Sequence, residues 1–238
     1  MPRYARLSVP AFNKIARFLP AAVLAAALAS CAAPTPPPPP PPPPPPAKPY
    51  IPPPPKPQPP AGASDHLTVP PLDASGLRQS VNRNITPTQM VWNLRSAFNV
   101  AALNCSDPKH AEILPRYKVF LKTYAKPLTA ANKKVDAEFK GRYGAKFTAP
   151  REAYMTSVYN HFALPPAMNE FCNAALVVSG DMAGVKPTEL EAFALRSLPS
   201  IEVVYDDFYR RYEMYRSDLA EWNARYGPPA PAPTAGTP

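Results

Sequence analysis

Chemistry in this chain would have to come from three histidines, three cysteines and 17 acidic side chains. His66, His110 and His161 stand alone: no His-Glu-x-x-His occurs, and no second His or Cys lies at helical spacing from any of them. None therefore reads as part of a zinc site. A Gly-x-Ser-x-Gly nucleophile turn, a Gly-rich phosphate loop and a Cys-x-x-Cys-His haem attachment are also missing from the sequence. Asp206 and Asp207 are neighbours in a helical stretch, so their carboxylates point apart instead of sharing a proton. Glu170 and Glu202 show no basic partner at helical spacing. The expectation is no catalytic residue, no metal and no cofactor. Catalytic groups can still meet in space alone, so an envelope hydrolase acting on cell wall or lipid stands as the alternative.

Binding is the better use of the polar side chains. Trp92, Arg95 and Asn99 share a helix flank beside an apolar stripe and form a candidate polar groove. The bland alternative is that they tie the helix to its neighbours by hydrogen bonds. Lys118, Lys122 and Lys126 recur every fourth residue, one side of a helix. Residues 109–151 hold 11 basic and three acidic side chains, whereas residues 188–226 hold five and eight. A solvated face is the default for such a row; an anionic envelope component is the sharper expectation.

The N-terminus places this chemistry outside the cytoplasm. Arg3, Arg6, Lys14 and Arg17, with no acid, precede the apolar stretch 18–29. Its 12 residues suit a signal-peptide core better than the ~20 of a membrane span. The stretch ends Leu28-Ala29-Ser30-Cys31, which resembles the lipobox of bacterial lipoproteins. That resemblance implies that Cys31 becomes the first mature residue and carries acyl groups. Ala32 in place of an inner-membrane retention Asp implies the outer membrane, facing the periplasm. Cleavage further on, yielding a soluble periplasmic or secreted protein, is the alternative. In an oxidising compartment the remaining pair, Cys105 and Cys172, is expected to form a disulfide.

Twenty of the 39 prolines fall within residues 34–60, including an unbroken run from Pro36 to Pro46. Such a segment adopts polyproline II and acts as a semi-rigid spacer. Most of the formal +9 charge lies in the signal and this tether; residues 64–227 hold 20 basic against 17 acidic side chains. A nucleic-acid binder holds its basic excess on the folded domain, so nucleic acid is not an expected partner.

The domain that must position these residues reads as helices. Thr86-Pro87 is a cap and first-turn proline ahead of Val91, Leu94, Phe98, Ala101 and Cys105. Asp107-Pro108, Pro115, Pro150 and Pro166 mark further starts, and Thr188-Glu189-Leu190-Glu191 reads as a capping box. The last helix runs from Ile201 through Tyr205, Phe208, Tyr212, Tyr215, Leu219 and Trp222 to Tyr226, ending at Gly227-Pro228. Leu67-Val69 and Leu77-Val81, flanking Asp73-Ala74-Ser75-Gly76, are compatible with a small β-hairpin.

Trp92-Asn93-Leu94-Arg95, the stretch from Asn99 to Cys105, and Tyr159-Asn160-His161-Phe162-Ala163-Leu164-Pro165-Pro166 ahead of Phe171-Cys172 resemble a group of uncharacterised exported proteins from alphaproteobacteria. The resemblance spans residues 86–178 and implies export and the cysteine pair, with no activity attached. The expected organisation is a signal peptide at 1–30, a proline-rich disordered tether at 31–63, a mainly α domain at 64–227 and a disordered Pro/Ala tail at 228–238. The domain is a bundle of about six helices with one disulfide. The expected function is a lipid-anchored envelope module that binds or scaffolds, its expected partners the membrane, through the anchor, and an anionic envelope component or another envelope protein.

Overall fold

The computed structural model describes residues 50–228; Cys31, the signal segment, the proline run at 36–46 and the tail beyond 228 lie outside them. The described chain builds six α-helices: α1 (Pro87–Asn104), α2 (Ile113–Thr123), α3 (Ala125–Tyr143), α4 (Thr148–Phe162), α5 (Met168–Asp181) and α6 (Leu190–Tyr226). None of these helices is long and apolar enough to cross a membrane.

The bundle is arranged around α1, which packs against each of the other five. Its start follows from local chemistry. Thr86 accepts from the Gln89 backbone N–H while the Gln89 side chain accepts from Thr86 N–H, and Pro87 fills the position that needs no donor. The sequence pattern suggested one apolar stripe. Instead Asn93, Leu94, Ser96, Ala97, Phe98, Val100 and Ala101 are all buried, so α1 is enclosed on most of its circumference. Small side chains at Ser96, Ala97 and Ala101 let neighbouring helices approach it closely. Phe98 meets Phe120 of α2 edge to face, with ring centroids 5.2 Å apart.

Proline and capping chemistry set most boundaries within a few residues of the expected ones. Two expectations need correction. The first concerns the capping box at Thr188. The Glu189 side chain accepts from Lys186 N–H, a 3₁₀ turn occupies Pro187–Glu189, and α6 then runs unbroken for 37 residues through Pro199. That is ~55 Å of helix. Pro199 and Leu195, whose carbonyl loses its partner, both face solvent, while Leu198 and Ile201 beside them are buried. An internal proline costs about 3 kcal/mol; the buried flank holds the helix together across it.

The second concerns residues 64–85. No strand forms among the described residues; a single antiparallel bridge joins Leu72 and Arg78. The turn itself is present. Asp73 Oδ1 accepts from Ser75 and Leu77 N–H, and Gly76 sits at φ 80°. The ladder stops because Pro70 and Pro71 have no N–H to donate. The flanks bond to α6 instead. Leu67 N–H donates to the Tyr212 hydroxyl, which donates to Ser64 O, and Tyr215 donates to Asp65.

This contact with α6 reaches back into the expected tether. The Trp222 indole N–H donates to Pro54 O at 2.8 Å, and a 3₁₀ turn at Pro60–Gly62 packs on α6 and on the Pro165–Ala167 turn.

Cys105, just past α1, is bonded to Cys172 of α5, with Cα atoms 5.6 Å apart and a sequence separation of 67. Replacing both cysteines with alanine should lower stability by about 4 kcal/mol on the loop-entropy model, read as a lower urea midpoint. An unchanged midpoint would show that the closed loop is already ordered in the unfolded chain.

Candidate functional site

A carboxylate enters the core at Glu202. Its position on α6, one residue after Ile201 and three before Tyr205, puts it on the buried flank, and it is 2% exposed. Three donors from two other segments converge on it. Ser80 Oγ donates to Oε2 at 2.7 Å, Asn82 Nδ2 donates to Oε1 at 2.6 Å, and His161 Nε2 of α4 lies 2.8 Å from Oε1. The network continues into α1. Asn93 Nδ2 donates to Asn82 Oδ1, and the Tyr154 hydroxyl of α4 donates to Asn93 Oδ1. One connected set of hydrogen bonds thus joins the loop at 80–82 with α1, α4 and α6.

Burial pushes the Glu202 carboxyl up, but the hydrogen bonds and charge supplied by His161, with those from Ser80 and Asn82, outweigh it and hold it below the ordinary value of 4.5. Tyr205, one turn along α6, is pushed well above 10 by its own burial and by the Glu202 charge, and it donates to Phe162 O. The His161 ring lies 4.1 Å from the Tyr205 ring, centroid to centroid. The pair is enclosed: side-chain exposure is 9% for His161 and 3% for Glu202.

Two ion pairs flank the hub on α6. Arg83 pairs with Asp206, and Arg78 pairs with Glu213 while its guanidinium lies over the Tyr209 ring. Tyr215 is pushed up to about 12, chiefly by its hydrogen bond to the Asp65 carboxylate, so it remains a donor there at any ordinary pH. From Asp65 to Arg83, the N-terminal segment is fastened along α6 by polar contacts at nearly every turn.

Sequence reasoning singled out neither this hub nor its partner. His161 and Glu202 are 41 residues apart, so helical spacing could not reveal them. The available signal was a glutamate inside the apolar face of the last helix. Asp206 and Asp207 do point apart, toward Arg83 and Arg210, and Glu170 lies 3.6 Å from Arg211. His110 is buried against Asn173, and His66 is exposed. Among the described residues no group of three His, Cys, Asp or Glu could hold a metal ion.

Arg95 donates to the Tyr159 hydroxyl and Asn99 to the Tyr117 hydroxyl, contacts with α4 and α2 respectively. The Trp92 indole lies between two guanidiniums, Arg95 at 5.1 Å and Arg151 at 6.0 Å from its ring, and its N–H is buried without an acceptor. Lys118, Lys122 and Lys126 are exposed. They do not share one helix: α2 ends at Thr123, Tyr124 takes φ −103° and ψ 18°, and Lys126 is the second residue of α3. Pro127 is the cause, because it has no N–H for Thr123 O and its ring crowds that carbonyl.

No protein-family model, curated protein or solved structure matches this chain.

Replacing Glu202 with glutamine should cost about 3 kcal/mol, since an amide N–H₂ would face donors it cannot satisfy. The pH dependence has a definite sign. A carboxyl held below 4.5 when folded stabilises the protein above that pH, and the contribution is lost as pH falls through the folded value. Thermal denaturation of the parent should therefore show an acid loss that Glu202→Gln lacks. Parallel pH profiles would contradict an ionised Glu202.

Proposed function

We propose that this chain is a lipid-anchored envelope protein whose helical domain binds or scaffolds and does not catalyse. The observation that carries the reading is the Cys105–Cys172 bond. Disulfides of this long-range, non-catalytic kind persist in oxidising compartments, which agrees with the signal-like N-terminus and the Leu28–Cys31 motif. Acylation of Cys31 would anchor the chain at about 0.8 kcal/mol per buried methylene. The proline-rich tether would then hold the domain away from the bilayer, and Ala32 favours the outer membrane.

The way the core spends its polar groups supports binding over catalysis. His161 and Glu202, the pair best suited to acid–base work, are enclosed and act as struts between segments. The exposed cations of α2 and α3 supply a surface for an anionic envelope component, such as a lipid headgroup or wall polymer.

Two measurements test this. Cys31→Ala should move the protein from the membrane fraction to the soluble fraction; a variant as membrane-bound as the parent would remove the anchor. Changing Lys118, Lys122 and Lys126 together to Glu should weaken low-salt binding of the otherwise intact chain to anionic wall polymer, and salt should weaken parent binding as well, since screening acts within ~8 Å at physiological ionic strength. Equal binding by parent and triple variant would leave these lysines as solvated surface.

A further inference from the structure

A cleft of about 490 Å³ opens between α2 and α5, within the range of roughly 300–1,000 Å³ usual for small-molecule sites. Its floor is apolar. Phe98, Ile113, Phe120 and Met182 line it, and each is buried in the core. The apolar surface continues outward over Val119, which lines the cleft and is 63% exposed.

One cation stands in this wall. Arg116 lines the cleft, and its Nη1 donates to Leu176 O of α5 at 2.9 Å. Gly180 makes room for the guanidinium: a Cβ at that position would come within 3.1 Å of Arg116 Nη1. Arg116 has no carboxylate partner among the described residues, although Glu112 also lines the cleft one turn earlier. The Tyr124 and Ser179 hydroxyls are committed to Val185 O and Leu176 O. The Tyr117 hydroxyl accepts from Asn99 and keeps its own proton to donate. Lys118 and Lys122 are exposed on α2 and do not line the cleft.

An apolar trough with a guanidinium at its edge matches one ligand shape: a hydrocarbon chain ending in an anion. We infer that the cleft between α2 and α5 binds a single-chain anionic amphiphile, its acyl chain against Phe120 and Met182 and its carboxylate or phosphate on Arg116. Arg suits this role because its planar donors meet two anion oxygens at once. The inference rests on reading the domain as a binding module and names the class of ligand.

The test uses the full chain carrying Cys31→Ser, so that no acyl group of its own competes. Isothermal titration with dodecanoate and with dodecyl phosphate, below micelle formation, separates a fatty-acid source from a lipid-phosphate source. One site per chain is expected for at least one of the two, with no binding of acetate or inorganic phosphate alone. Arg116→Gln should weaken anion binding at least tenfold and leave weak binding of dodecanol unchanged. Arg116 also tethers α2 to α5, so a second variant is needed. Ala183→Trp, at an exposed position on the rim, should block the cleft with the thermal midpoint intact. Absence of binding by the parent, undiminished binding by Ala183→Trp, or equal binding of the headgroup ions alone would each overturn the inference. These outcomes are independent of membrane fractionation, so failure of the cleft and failure of the anchor are distinguishable.

Discussion

Burying a carboxylate in a protein core costs several kcal/mol unless donors replace the water it loses. Glu202 meets that requirement with Ser80, Asn82 and His161, and the rest of the structure depends on how it does so. The three donors come from a loop and from α4, and Asn82 is in turn held by Asn93 of α1. None of these segments can shift without stranding a charge. The hub therefore sets the position of the N-terminal segment on α6 and the register of α4 against it. It also accounts for buried polar residues on α1, which would otherwise be a liability in the most enclosed helix of the bundle.

The tyrosines of α6 extend the same logic. A purely apolar helix face would hold residues 64–86 only by area, which tolerates sliding. Tyr212 accepts from Leu67 N–H and donates to Ser64 O, and Tyr215 donates to the Asp65 carboxylate, so each ring packs in the core while its hydroxyl holds the segment outside it, Tyr212 by two backbone groups and Tyr215 by one side chain. With Arg78 and Arg83 paired to Glu213 and Asp206, the segment has one alignment. The disulfide acts at the C-terminal end of α1, joining it to α5. Between the two, α1 is held along its length, and α2 is left to present the cleft and its cations.

What was legible in the sequence follows from the range of each interaction. Local chemistry was readable: Thr86-Pro87 as a cap, the prolines near the starts of α4 and α5, the heptad-like run of α6 from Ile201, and the stop at Gly227. The cysteine pairing was readable because a two-member set leaves one partner. The six-helix bundle followed from these. Pro199 could not be read as helix-internal, because propensity argues against it and only tertiary packing holds it. The β-hairpin reading of 64–85 had the right turn but the wrong partner, since the flanks bond to a helix more than a hundred residues away. The Glu202 hub was invisible for the same reason: hydrophobic periodicity marks where a residue points, not which polar groups arrive from elsewhere. Of the candidate site residues, Trp92, Arg95 and Asn99 are half-buried on α1 and the three lysines are exposed, but the expected single lysine face is broken before Lys126, because Pro127 interrupts the helix through a backbone carbonyl four residues earlier.

The central structural claim is that residues 64–86 belong to the cooperative core through Glu202 and α6 and are not a continuation of the tether. Native-state hydrogen exchange tests it most directly. The Leu67 amide, bonded to the Tyr212 hydroxyl, and the Asn82 amide, bonded to Ser80 Oγ, should exchange only in the global unfolding step, together with the amides around Ile201 and Tyr205. Rapid exchange of Leu67 and Asn82 while those α6 amides stay protected would contradict it.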